Sequence, residues 1–184
     1  MRRSFRKYAK REIEFEKIIE IENTIKDFQL TMGFKHSMVK VTKNKEEFES
    51  VIRAAKRGLV GKINPWLNKT NATNLLIAIV NTNDTDQNLS ERFKRIAETS
   101  ILMEVAILRA TELGLASCWL AGVNTSEIEK EYKLGDGEEV IAIATLGYPP
   151  ISSNITDYDF WANKLVSARR KHLSEIMFYD EIKE

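Results

Sequence analysis

Residues 98–122 read ETSILMEVAILRATELGLASCWLAG, and this stretch decides the fold class. Its first part (98–115) is apolar nearly all the way round a helix, with Glu104, Arg109 and Glu112 as the exceptions. Such a helix must be covered on most sides, by its own core or by a second subunit. The following ASCWLAG (116–122) is a short apolar run that reads as a strand. Downstream, Ser126 with Glu129 predicts the cap of a short acidic helix ending at Gly135, and EEVIAIATLGY (138–148) reads as a further strand. LLIAIVN (75–81) is a third. None of the three alternates apolar with polar residues, so each is expected to be buried on both faces.

Working toward the N-terminus, NTNDTDQNLSERFK (81–94) reads as a polar loop. A helix over about 45–57 presents Phe48, Val51, Ile52 and Ala55 on one face, with Asn44 and Glu47 as a capping box and Gly58 as its stop. Ile13, Phe15, Ile18, Ile19, Ile21, Ile25 and Phe28 make one buried stripe of a helix over about 12–30. Toward the C-terminus, Pro149-Pro150 and ISSNITDYD (151–159) predict an extended connection before the tail LVSARRKHLSEIMFYDEI (165–182). Helices alternating with strands that lack a polar face indicate an α/β or α+β class with a covered sheet. Without an internal repeat or a flexible linker, residues 1–184 are expected to form a single domain.

Composition narrows the chemistry. With 43 % hydrophobic and 30 % charged residues the chain is an ordinary globular one. One cysteine permits no internal disulfide, and no apolar run reaches membrane-spanning length, so a cytoplasmic protein is expected. Lys plus Arg number 28 against 27 acids, a balance that argues against a nucleic-acid coat. That balance hides two basic islands: RRSFRKYAKR (2–11), with six basic groups and no acid, and Arg169-Arg170-Lys171. They read either as solvated charge or as one local anion site.

Side-chain catalysts are scarce. His36 and His172 are far apart and Cys118 stands alone in an apolar segment, so no zinc cluster or His-poised nucleophile is indicated and no catalytic side chain is named. Gly58, Gly61 and Lys62 fall short of a phosphate loop, because Ile63 follows the lysine. If the chain is an enzyme, a cofactor must carry the chemistry.

Four segments, RRSFRKY (2–8), ELGLASCWLAGV (112–123), GDGEEVIAIATLGYP (135–149) and RRKHLSEIMFY (169–179), fall in the order found in the nitroreductase family, and the chain resembles that family over most of its length. The resemblance implies an α+β sandwich, a mostly antiparallel sheet surrounded by helices, assembled as a homodimer with FMN in the clefts between subunits. Arg2, Arg3 and Ser4 would grip the FMN phosphate and ribityl chain, with Arg169 and Arg170 closing the phosphate site. Arg6 would approach the pyrimidine edge, Trp119 and Leu120 would lie along the ring, and Ala121 and Gly122 would place a backbone N–H at the flavin N5. The apolar helix at 98–115 suits a dimer centre, and the segment 165–184 would wrap the partner or else dock on its own core.

Two positions depart from the family pattern. Lys62-Ile63-Asn64-Pro65-Trp66 stands where the family has N-x-Q-P-W, leaving Asn64 as the flavin-facing candidate, and Ala121 replaces the glutamate often found before the glycine. The activity implied is hydride transfer from NADH or NADPH, through FMN, to a nitroaromatic, quinone or similar small acceptor. A non-catalytic flavin-binding protein on the same fold is the alternative. No nucleic acid, membrane or metal enters either reading.

Overall fold

Two segments that sequence leaves unassigned or misplaced complete the architecture. The computed structural model describes residues 4–59, 63–83 and 88–150. Their elements run α1 (Phe15–Met32), β1 (Ser37–Val41), α2 (Lys45–Ala55), a 3₁₀ turn (Pro65–Lys69), β2 (Asn74–Asn81), α3 (Leu89–Glu112), β3 (Ala116–Leu120), α4 (Thr125–Tyr132) and β4 (Glu138–Gly147). Strand β1 was not expected. Helix α3 begins at Leu89 rather than at 98, because the Asn88 side chain accepts from the Glu91 N–H at 3.1 Å and closes the first turn. Helix α4 is capped by Asn124, not Ser126, and stops at Tyr132 with Lys133 in the left-handed region. At α2 the expected cap holds, with the Asn44 side chain accepting from the Glu47 N–H at 2.9 Å.

The strands form one sheet in the order β1-β2-β4-β3, and every neighbouring pair is antiparallel. In register, Ile77 faces Ile143 and Cys118 faces Thr145, with a bulge beside Ala78 and Ile79. This antiparallel pairing settles the class as α+β.

Both sheet faces are covered, as the unbroken apolar strands demand. Leu75, Ile77 and Ile79 turn toward α2 and α4 together with Cys118, Leu120 and Ile143. Leu76 and Ala78 turn the other way, with Ala144 and Leu146, onto α1 and α3. On α3, Leu102, Met103, Ala106, Ile107 and Ala110 are completely buried in that second core. Each large aliphatic side chain buried this way contributes about 1.5–3 kcal/mol. Buried Arg95, also on α3, donates to the carbonyls of Asn81 at 3.2 Å and Asn83 at 2.8 Å, fixing the exit of β2. Among the described residues no helix is long and apolar enough to cross a membrane.

Candidate functional site

The free edge of β3 is where the N-terminal basic segment lands. Ser4 forms a parallel bridge with Ser117, and the Phe5 N–H donates to the Ser117 carbonyl at 2.8 Å. The arm extends the sheet by one short rung and then turns beneath it. Tyr8 anchors this turn. Its ring is 4 % exposed, and its hydroxyl donates to the Phe5 carbonyl at 2.8 Å and shares a hydrogen bond with Thr145 Oγ1 at 2.6 Å. Burial pushes the Tyr8 phenol well above its ordinary pKa, so it stays a neutral donor. The Ala9 N–H then donates to the Tyr148 carbonyl at 2.9 Å. Gly147 is glycine because of this turn: a Cβ there would lie 2.7 Å from Tyr8 Cδ1 and 3.3 Å from the Ala72 backbone. Ser4 is exposed and Arg6 half-buried.

At the other end of β3, Asn64 and Gly122 meet. Asn64 Nδ2 donates to the Gly122 carbonyl at 2.8 Å. The 3₁₀ turn after Asn64 starts at Pro65 and is seated by buried Leu67, which carries Asn64 to the end of the strand. A Cβ at Gly122 would fill the gap to the Ile63 and Asn64 side chains, 3.5 and 3.7 Å away. That is ordinary contact and φ there is not left-handed, so nothing among the described residues requires glycine at 122. Ile63 is 65 % exposed and Ala121 is exposed, which gives this end an apolar surface of small relief.

The strand between the two ends measures the site. Ser117 to Leu120 spans about 10 Å, with Gly122 two residues beyond. Of the residues expected to hold a cofactor, Ser4 and Arg6 thus lie at the start of β3, and Asn64, Ala121 and Gly122 at its end. Between them Trp119 is half-buried against the α1/α3 core. The Leu120 side chain is 5 % exposed and belongs to the α2/α4 core, so only its backbone faces outward from the strand. Arg2, Arg3, Arg169 and Arg170 lie outside the described residues.

Sequence reasoning missed three contributors. In the sequence Ile63 stands out only as the break in a phosphate-loop pattern. Tyr8 was legible only as an aromatic residue among charges. Ser117 carries no signal at all, since its backbone does the pairing.

The arrangement suits an elongated ligand with an anionic end near the arm and a flat apolar end near Gly122. Comparisons with known proteins bear on the family and the fold. The family described as "Putative TM nitroreductase" matches residues 1–184. A comparison with functionally curated proteins gives no match. Among solved structures, a nitroreductase family protein from Clostridium difficile 630 is 26 % identical with a TM-score of 0.66, over 97 % of this chain and 94 % of that one. An FMN-dependent nitroreductase from Clostridium difficile R20291 is 25 % identical with a TM-score of 0.62, over 89 % and 93 %. A nitroreductase-like family protein from Bacillus cereus shares the fold at 18 % identity, with a TM-score of 0.68 over 98 % and 92 %. The order of motifs, the antiparallel sheet with both faces covered and the full-length family match give one result: the chain belongs to this nitroreductase family.

Proposed function

We propose that the protein is an FMN-dependent oxidoreductase that takes hydride from NADH or NADPH and passes electrons to a nitroaromatic, quinone or similar small acceptor. The observation that carries the reading is the joining of the basic N-terminal arm to one end of β3, with Asn64 bonded to Gly122 at the other. A phosphate needs charge-assisted donors, and Arg2, Arg3, Ser4 and Arg6, with Arg169 and Arg170, are the residues to supply them. When bound, FMN supplies a carbon–nitrogen ring system that accepts hydride from the nicotinamide and releases electrons to the acceptor. The chain's part is positional. The Asn64 bond holds the Gly122 peptide, exposed Ile63 offers an apolar surface that excludes water from a flat ring, and Arg6 supplies positive charge nearby.

Function as a homodimer is part of the proposal. Leu89, Phe93, Ile101 and Leu108 on α3 are between 48 % and 69 % exposed. At 100° per residue all four fall within about 120° of one helix face, the width of an apolar stripe that packs against another element. The second reading, flavin binding without turnover, draws on Asn64, whose Nδ2 is already engaged by Gly122.

FMN fluorescence quenching and steady-state NAD(P)H oxidation with a quinone acceptor test both readings. Saturable binding of FMN and acceptor-dependent turnover are expected. Binding without turnover selects the second reading, and no binding at micromolar protein overturns both. Arg2→Ala and Arg170→Ala are each expected to weaken FMN binding by about 1.5–3 kcal/mol, the worth of a hydrogen bond to a charged group.

A further inference from the structure

A second cavity opens beside the run into α1. It encloses about 660 Å³ between the run into α1, the turn from β1 into α2, and the lead into β2. That volume is in the range of small-ligand pockets. None of the residues placed along β3 above lines this cavity, although Asn71 in its wall bonds the Tyr8 carbonyl.

Its lining combines an apolar interior with a basic mouth. Half-buried Ile13 and Phe15, 65 % exposed, supply its accessible apolar surface, above Ile18, Phe48 and Ala72, which are buried in the cores. Lys10, Arg11, Lys43 and Lys45 are exposed around it. Two of these cations are engaged: Arg11 pairs with Glu14, and Lys45 lies 3.8 Å from Glu49. Lys10 and Lys43 have no ion pair among the described residues. Two carboxylates line the cavity, Glu49, which is shared between Lys45 and Arg53, and Glu12, which has no cationic partner among the described residues. The free charge at the mouth is therefore positive.

The walls are already built. Asn71 Nδ2 donates to the Tyr8 carbonyl at 3.3 Å, Asn74 Nδ2 to the Thr42 carbonyl at 2.7 Å, and the Ala72 N–H to Thr70 Oγ1 at 3.1 Å. With these amides and hydroxyls satisfied internally, the unspent donors are the ammonium groups of Lys10 and Lys43. An apolar body would displace water from Ile13 and Phe15, while an anionic head would meet two lysines from different segments.

We infer that this cavity binds an amphipathic organic anion of about nucleotide size, its phosphate or carboxylate at Lys10 and Lys43 and its apolar body against Ile13 and Phe15. The inference stands apart from the proposed flavin chemistry.

The test is calorimetric titration of the full chain, with FMN saturating where FMN binds. The probes are adenosine monophosphate, decanoate, adenosine and inorganic phosphate. Adenosine monophosphate or decanoate is expected to bind once per chain. Adenosine, lacking the charge, and inorganic phosphate, lacking the body, are expected to bind at least about tenfold more weakly. Lys43→Glu with Lys10→Glu should weaken the tighter probe about tenfold or more, and Glu12→Gln should tighten it, with FMN titration unchanged in both. Millimolar adenosine monophosphate and decanoate that both fail to bind would overturn the inference. So would affinity indifferent to the lysine reversals, or phosphate binding as tightly as adenosine monophosphate.

Discussion

Gly147 shows how a single missing side chain places the N-terminal arm. The Tyr8 ring lies where its Cβ would be, and through the Tyr8 hydroxyl the position of Phe5, and so of Ser4 at the β3 edge, depends on that space. Gly147→Ala is therefore expected to cost about 1–3 kcal/mol of stability by overpacking. Because the ring moves, FMN affinity should fall as well. Urea unfolding and FMN titration of the same variant read the two effects, and Tyr8→Phe, which keeps the ring but not the hydrogen bonds, separates them. Sequence could suggest the anion-binding character of the arm from the density of arginines. It could not suggest that a glycine 139 residues downstream of Tyr8 makes room for it, because a Cβ contact leaves no periodic signal.

Between elements, one polar junction ties the start of α1 to the end of α3 and the end of β4. The Tyr148 hydroxyl donates to the Glu14 carboxylate, and Arg11 pairs with the same carboxylate. Lys17 Nζ donates to the Leu113 carbonyl at 2.7 Å and to Tyr148 Oη at 2.9 Å, and Arg11 lies 4.1 Å from the centre of the Tyr148 ring. The hydrogen bond from Tyr148, with the Glu14 backbone N–H and Arg11 adding to it, holds the Glu14 carboxyl at about 2. A depressed folded-state value stabilises the native chain above the ordinary carboxyl range, near 4.5, and this contribution is lost as pH falls toward 2. Stability measured by denaturant unfolding should thus differ between the wild type and Glu14→Gln at neutral pH. The difference should shrink between pH 4.5 and 2, and a difference independent of pH would contradict the assignment.

The same scale shows what sequence makes legible. Strands β2, β3 and β4 are apolar runs because both faces of the sheet are covered, and a run is visible without knowing its partners. Strand β1, SMVKV, is a sheet edge with Met38 and Lys40 exposed, so its five residues offer too little pattern to stand out. The early start of α3 was hidden for another reason: Asn88 and Glu91 supply a cap inside a stretch whose composition reads as loop. Asn64 was legible only by analogy to a family pattern, and what secures it beside Gly122 is a hydrogen bond between residues 58 apart.

At the scale of the whole molecule, α3 presents two apolar faces. One is spent on the chain's own core, while Phe93, Ile101 and Leu108 are left exposed. Under the proposed dimer this second face meets another subunit. Sedimentation of the wild type should give twice the chain mass, and Ile101→Asp with Leu108→Asp should give monomers that no longer retain FMN. A double variant that stays dimeric would assign the interface to another surface.

The order in which the sheet can assemble follows from its strand pairing. Strand β2 at residues 74–81 sits between β1 and β4, and β4 ends only at residue 147. During synthesis β2 therefore waits for more than sixty residues before its second edge is paired. The N-terminal arm waits longest, since its partners are Ser117, Thr145 and Tyr148. A segment that precedes every strand of the sheet is thus among the last to find its place, and loop closure over this distance slows folding. Under the proposed function, a nascent chain gains the arm's share of the grip on a ligand along β3 in one late step, once β4 has formed, rather than gradually as it lengthens.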